Sequence, residues 1–186
     1  GVPTTMGGNI GLPILAQEPL PDGGVYALEL SSYQLDLTQS LDCDIAVLLN
    51  ITPDHLDRYE NFEAYAASKM RLFELSSGLH VGAPAEAGAQ ERPSASLHRP
   101  VPRPSPGNWP ALQGPHNLQN AAAAIAVCQA LGVADEAIEL GLRTFPGLPH
   151  RMERVREKDG VLFVNDSKAT NPTATAPALA AFERIR

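Results

Sequence analysis

Side chains able to do chemistry collect in this chain just beyond short apolar runs. Glu29 follows Val25-Tyr26-Ala27-Leu28, and Thr52, Asp54, His55, Asp57 and Arg58 follow Ile45 to Leu49. Asp166, Ser167, Lys168, Thr170 and Asn171 follow Val161 to Asn165. In open α/β sheets, ligands sit beyond the carboxyl ends of the strands. A carboxylate and an imidazole at that rim are what a divalent metal carrying a phosphate ligand requires. Taken singly, Glu29 reads equally well as a solvated strand end, and His55 as a loop histidine without catalytic duty. Lys69 stands apart. Phe62, Tyr65, Ala66 and Phe73 form one apolar helical stripe, and Lys69 falls inside it. A buried unpaired ammonium is costly, so Lys69 either meets a partner at the site or snorkels past the stripe to water.

The elements that must hold these residues follow from the pattern around them. Ile45 to Leu49 has no polar break and suits a buried strand of a parallel sheet. Val25 to Leu28 reads as a second buried strand, followed by a short helix through Tyr33, Leu35 and Leu37. Pro53 keeps the residue before it out of a helix, and Asn61 offers an N-cap for a helix to about Leu75. Residues 4–11 read as a Gly-rich loop carrying one amide, Asn9; no Gly-Lys-Ser/Thr follows, so it is not a phosphate-binding P-loop. From Ser76 to Gln113 there are seven prolines and no Ile, Phe or Tyr, which suggests disorder or an irregular lobe. His80, His98 and Trp109 in that stretch are given surface or local packing roles.

Order resumes with an Ala-rich helix from about Gly114 to Leu131, ended by Gly132. Asn117 and Asn120 are three apart and project from one side of its first turn. They could hold a nucleotide base or phosphate there, or Asn117 could simply cap the helix. A second helix over about 134–144 carries Ile138 and Leu142 on one face. Phe145 to Arg151 has linker composition and marks the expected domain boundary, giving domains 1–147 and 148–186. A hairpin turning at Lys158-Asp159-Gly160 follows. Pro177 is placed in the first turn of a closing helix that runs on toward Arg186.

The 186 residues carry a formal charge of −7. With no basic patch, the balance argues against a general nucleic-acid binder, while local phosphate binding stays open. The longest apolar run, Ala121 to Cys128, falls well short of the ~18 residues of a membrane span. Cys43 and Cys128 are too few for a disulfide framework, which points to a reduced, cytoplasmic setting.

Seven motifs in order carry a family resemblance: Gly7-Gly8-Asn9-Ile10-Gly11, Leu28-Glu29-Leu30-Ser31-Ser32-Tyr33-Gln34-Leu35, Asn50-Ile51-Thr52-Pro53-Asp54-His55-Leu56-Asp57-Arg58, Lys69 in its helix, His116-Asn117-Leu118-Gln119-Asn120-Ala121, Gly147-Leu148-Pro149-His150-Arg151-Met152-Glu153, and Asn165-Asp166-Ser167-Lys168-Ala169-Thr170-Asn171. The set resembles the Mur ligases, ATP-dependent amide-forming enzymes of bacterial peptidoglycan synthesis, and its wording points to the D-glutamate-adding branch. The resemblance covers about 1–75 and 114–186. It implies an α/β fold with a mostly parallel sheet flanked by helices, a P-loop-type central domain lacking its P-loop, and the start of a Rossmann-like C-terminal domain.

It also implies two Mg²⁺ sites and ATP. Glu29 would match a ligand of one magnesium, His55 and a carbamylated Lys69 would match those of the second, and Asn9 would meet the UDP-sugar substrate. Asn117, Asn120, Arg151 and Asp166 would match ATP-holding residues, with Lys168 and Thr170 facing D-glutamate. The implied partners are UDP-N-acetylmuramoyl-L-alanine, D-glutamate and ATP, acted on by a monomer with no nucleic-acid or membrane partner. The phosphate-binding loop is expected just before Gly1 and most of the C-terminal domain beyond Arg186, so these residues alone are expected to lack ligase activity. Another Mur or folylpolyglutamate-type ligase, or a non-catalytic nucleotide-binding module, is the competing reading.

Overall fold

The structure, a computed structural model, describes residues 1–82, 108–170 and 172–185. The architecture is α/β, and contacts divide the chain into two compact units, Gly1–Ser96 and Leu97–Arg186. No helix among the described residues is long and apolar enough to cross a membrane.

In the first unit, β1 (Thr4–Gly8) pairs in parallel with β2 (Val25–Glu29), Thr4 opposite Val25 and Gly8 opposite Glu29. The residue pattern predicts loop for Thr4 to Gly8. It is a strand because the ladder is made by backbone groups, which glycine supplies as well as any residue. Gly8, at φ +100°, lies so close to β2 that a Cβ would overlap the Glu29 carbonyl oxygen, so the missing side chain is what permits the pairing. β2 is also less covered than its apolar run suggests. Tyr26 to Glu29 are exposed, because β1 is the one strand beside it among the described residues.

β3 (Ile45–Leu48) pairs in parallel with β4 (Leu79–Gly82). It fits its expectation, with Ala46 1% and Leu48 8% exposed. β4 lies within the stretch expected to be irregular; the rest of that stretch from 83 to 107, with His98, lies outside the described residues.

Two helices connect these strands. α1 (Ser32–Leu37) starts with a reciprocal capping box: Ser31 Oγ accepts from the Gln34 N–H at 3.3 Å, and Gln34 Oε1 accepts from the Ser31 N–H at 3.0 Å. α2 (Phe62–Met70) is capped as expected by Asn61, whose Oδ1 accepts from the Ala64 N–H at 2.8 Å. Instead of running to Leu75 as one α-helix, it tightens into a 3-10 turn over Arg71–Phe73.

The second unit is built on α3 (Pro115–Ala130) and α4 (Asp135–Thr144). Their shared core holds Trp109, Leu112, Ala121, Ile125 and Ile138, with Leu142 packed against it. Trp109 is thus a core residue, and its indole N–H is shared between the two carboxylate oxygens of Glu139 at 3.0 and 3.1 Å. Gly132, at φ +74°, follows the end of α3 as expected.

β5 (Glu153–Lys158) and β6 (Val161–Asn165) form the expected antiparallel hairpin. Asp159 and Gly160, at φ 53° and 72°, supply the two left-handed residues of a type I′ turn. α5 (Pro172–Leu179) corrects the placement of Pro177, which lies inside the helix. Pro172 takes the first helical position, where a fixed φ and no N–H are harmless. The helix ends at Leu179, short of Arg186.

Gly8→Ala is expected to destabilise the first unit by at least about 1–3 kcal/mol from backbone strain alone. Urea unfolding followed by far-UV circular dichroism checks this; an unchanged midpoint would mean that the close approach to Glu29 is absent in solution.

Candidate functional site

At the carboxyl edge of the first strand pair, the Asn9 N–H donates to the Glu29 carbonyl at 2.7 Å. Asn9 and Glu29 are therefore neighbours, and both are exposed. From Glu29 the chain passes directly into the α1 cap and presents Tyr33, whose ring centroid lies 5.2 Å from that of His55. His55 in turn lies 6.3 Å from the Tyr65 ring, and Lys69 Nζ sits 5.2 Å from the centroid of the same ring. His55 and Lys69 thus converge on Tyr65 from a loop and a helix. Burial, the Asp54 charge and the nearby Tyr59 and Tyr33 push the Tyr65 pKa up from its usual 10.0, so its phenol stays neutral.

His55 is held in a left-handed conformation, φ 52°. Its N–H donates to Asp54 Oδ1 at 2.9 Å, its imidazole Nε2 lies 3.7 Å from Asp54 Oδ2, and its carbonyl accepts from the Arg58 N–H at 3.0 Å. Lys69 is half-buried, its ammonium resting on an aromatic face. Among the described residues neither Glu29 nor Lys69 forms an ion pair.

No three His, Cys, Asp or Glu side chains among the described residues form a ready cage for a metal. Magnesium takes one or two protein carboxylates and completes its shell with water and phosphate. The donors present fit it: a free carboxylate at Glu29, an imidazole at His55, and at Lys69 an amine that as a carbamate would offer oxygen.

Sequence reasoning overlooked the side chains that brace this region. Asp36, Tyr59, Ser68 and Arg71 join α1, the His55 loop and α2. Partial burial pushes the Asp36 pKa up, but hydrogen bonds from Ser68 and Tyr59 and the charges of Arg58 and Arg71 outweigh it, and the net direction is down from 3.8.

In the second unit the pair of outward amides is half right. Gly114 is the N-cap and Pro115 the first helical residue, so Asn117 falls in the first turn rather than at the cap. It is 7% exposed and its Nδ2 donates back to the Gln113 carbonyl at 2.9 Å. Asn120 is exposed, as expected.

Arg151, Asp166 and Lys168 are gathered by a tight turn in which Gly147, His150 and Met152 all have left-handed φ, at 85°, 63° and 49°. The Met152 N–H donates to Asp166 Oδ1 at 2.9 Å, the Lys168 N–H to the His150 carbonyl at 3.0 Å, and the His150 N–H to Glu153 Oε2 at 2.8 Å. Thr170 is exposed beyond it, and Asn171 lies outside the described residues.

His116 lies at the start of α3. It feels the charges of Asp166 and Arg151, and its Nδ1 is buried without a hydrogen-bond partner among the described residues. Burial pushes its pKa below 6.5; Asp166 pulls it up, and Arg151 pushes it further down.

A lowered folded value means that the unfolded chain binds more protons than the folded one between that value and 6.5. The contribution of His116 to stability is thus complete above 6.5 and is lost as pH falls through that window. His116→Gln is expected to flatten this slope. Urea titrations at about pH 8 and about pH 5 measure it, and equal acid sensitivity in both proteins would contradict the assignment.

Residues 2–82 match the family model described as the Mur ligase middle domain. The chain is 55% identical over 197 residues to a UDP-N-acetylmuramoylalanine–D-glutamate ligase of Novosphingobium aromaticivorans, an alignment covering 100% of this chain and 44% of that protein. Ligases of the same name from Zymomonas mobilis (56% over 194 residues, 100% of this chain) and Sphingopyxis alaskensis (58% over 194 residues, 98% of this chain) are likewise covered over 44% of their length. The chain therefore spans a little under half of these curated relatives. Among solved structures, a crystal structure of MurF from Acinetobacter baumannii matches with a TM-score of 0.67 at 20% identity, covering 100% of this chain and 49% of that one. That likeness concerns the fold.

Proposed function

The chain belongs to the Mur ligase family, and from that premise we propose that it forms part of an ATP-dependent ligase joining D-glutamate to UDP-N-acetylmuramoyl-L-alanine in peptidoglycan synthesis. The supporting observation is the convergence of His55 and Lys69 on the Tyr65 ring, with Lys69 lacking an ion-pair partner among the described residues. In this reading 1–147 form the central ATP-binding domain, 148–186 lead into the C-terminal domain, and the protein acts as a cytoplasmic monomer.

The reaction is a phosphoryl transfer followed by amide formation. The alanine carboxylate attacks the terminal phosphorus of ATP, giving an acyl phosphate and ADP. The free amine of D-glutamate then adds to the acyl carbon, its nitrogen gives up a proton to water, and phosphate leaves with its bonding pair. Glu29 would hold one magnesium, and His55 with a carbamylated Lys69 the second; magnesium bound there would supply positive charge against that spread over the transferring phosphoryl group. Carbamylation, addition of the lysine amine to CO₂ with loss of a proton, makes Lys69 an anionic oxygen donor.

Asn9, set beside Glu29 by the strand pairing, reaches the UDP-sugar. Arg151 and Asp166, gathered by the left-handed turn, hold ATP together with the exposed Asn120 and the helix start that Asn117 braces. Lys168 and Thr170 face D-glutamate.

Exchanging the aligned stretch of the Novosphingobium aromaticivorans ligase, 44% of its length, for this chain gives a full-length hybrid in which to test the reading. Phosphate release is expected only when ATP, UDP-N-acetylmuramoyl-L-alanine and D-glutamate are all present. Lys69→Ala is expected to slow turnover by at least about 100-fold, with no recovery in high bicarbonate. A folded hybrid that prefers an L-amino acid, or a Lys69→Ala form at full rate, would overturn the proposal.

A further inference from the structure

Asp36 is the point at which the three segments carrying the candidate metal ligands meet. Its Oδ1 accepts from the Ser68 hydroxyl at 2.6 Å, and its Oδ2 from the Tyr59 hydroxyl at 2.7 Å. Ser68 directly precedes Lys69 in α2. Tyr59 closes the His55 loop, and its N–H donates to the His55 carbonyl at 3.3 Å. Asp36 itself belongs to α1, the helix entered from Glu29.

Each hydroxyl has one proton and makes its shortest acceptor contact with this carboxylate, the Ser32 carbonyl being a longer acceptor for Ser68 Oγ at 3.3 Å. The two hydroxyls also lie 3.2 Å apart, and either can donate to the other. Two cations complete the arrangement. Arg58 Nη2 lies 4.0 Å from Asp36 Oδ2 while its guanidinium covers the Tyr33 ring at 4.2 Å. Arg71 donates to the carbonyls of Leu35, Asp36 and Thr38, closing the end of α1 from the α2 side.

We propose that Asp36, acting through Tyr59 and Ser68, is a positioning residue that fixes the spacing of His55 and Lys69 for a shared magnesium ion. The proposal rests on the ligase reading above. The two oxygens of Asp36 separately contact the closing residue of the His55 loop and the residue next to Lys69. Partners that orient metal ligands typically govern affinity by about 10–100-fold.

The test uses the hybrid enzyme and Mn²⁺ in place of Mg²⁺, with binding read by electron paramagnetic resonance in the presence of a non-hydrolysable ATP analogue. Tyr59→Phe removes one donor and keeps the ring; Asp36→Asn leaves one acceptor oxygen where there were two. Both are expected to weaken Mn²⁺ binding by about tenfold or more, and to raise the Mg²⁺ concentration needed for half-maximal rate in step. Turnover at saturating Mg²⁺ should stay within about twofold of the parent hybrid.

Asp42→Ala is the control for stability alone, since Asp42 accepts from the Ser77 N–H and hydroxyl at 2.7 and 3.0 Å on a different tie of the same unit. It is expected to lower the melting temperature and leave Mn²⁺ binding unchanged. If Tyr59→Phe and Asp36→Asn lower melting but bind Mn²⁺ as the parent does, the positioning role is refuted while the ligase reading stands. Should Lys69→Ala keep full activity in the same hybrid, the ligase reading itself fails.

Discussion

Parallel pairing obliges neighbouring strands to finish at the same edge, and in the first unit this constraint decides where chemistry can collect. With Gly8 opposite Glu29, the residue after β1 falls beside the last residue of β2, and a backbone hydrogen bond fastens them. The reverse orientation would carry Asn9 to the other end of Glu29's strand. The main chain does the fastening, so the side chains of Asn9 and Glu29 remain outward and available. β3 obeys the same rule and delivers its polar loop, with His55, beyond its own carboxyl end.

Much of this was legible in the residue order because local rules sufficed. The unbroken run at Ile45, the cap at Asn61, the Asp159-Gly160 turn and the apolar face of Ile138 and Leu142 each declare an element within a few positions. Thr4 to Gly8 did not, since glycines carry no periodicity and the strand exists only through β2, some twenty residues on. Asp36 was equally silent: its partners Tyr59 and Ser68 lie 23 and 32 positions away, and no spacing rule links them. Asn117 was misplaced for a local reason. Pro115 claims the first helical position and moves the cap to Gly114, which leaves the asparagine to bond backward. Lys69 was visible as an anomaly, and its seat on Tyr65, four residues earlier, follows from helical geometry.

The two sets of candidate residues are assembled by different physics. Arg151, Asp166 and Lys168 are brought together by a short turn of unfavourable backbone angles, tethered by Glu153 and Asp166 as acceptors. Left-handed non-glycine residues cost roughly 1–2 kcal/mol each, so this local arrangement depends on those tethers. His55 is brought to the Lys69 helix by tertiary contacts, around Tyr33, Tyr59, Tyr65 and Phe62, whose neighbouring rings are spaced 5.3 to 6.5 Å from centroid to centroid. A geometry held by ring packing tolerates small shifts, which is where a carboxylate with two fixed acceptor oxygens adds definition.

The aromatic residues are divided between the units in a way that makes the chain its own optical probe. The single tryptophan, Trp109, is 5% exposed in the core of the second unit with its N–H on a carboxylate, whereas all four tyrosines, at 26, 33, 59 and 65, belong to the first. Emission excited at the red edge of the indole band therefore reports on the core of the second unit alone, while the tyrosine part of the near-ultraviolet dichroism comes from the first unit, from Tyr26 as well as the ring cluster around His55. The melting of one half can be followed without a label while the other stays silent.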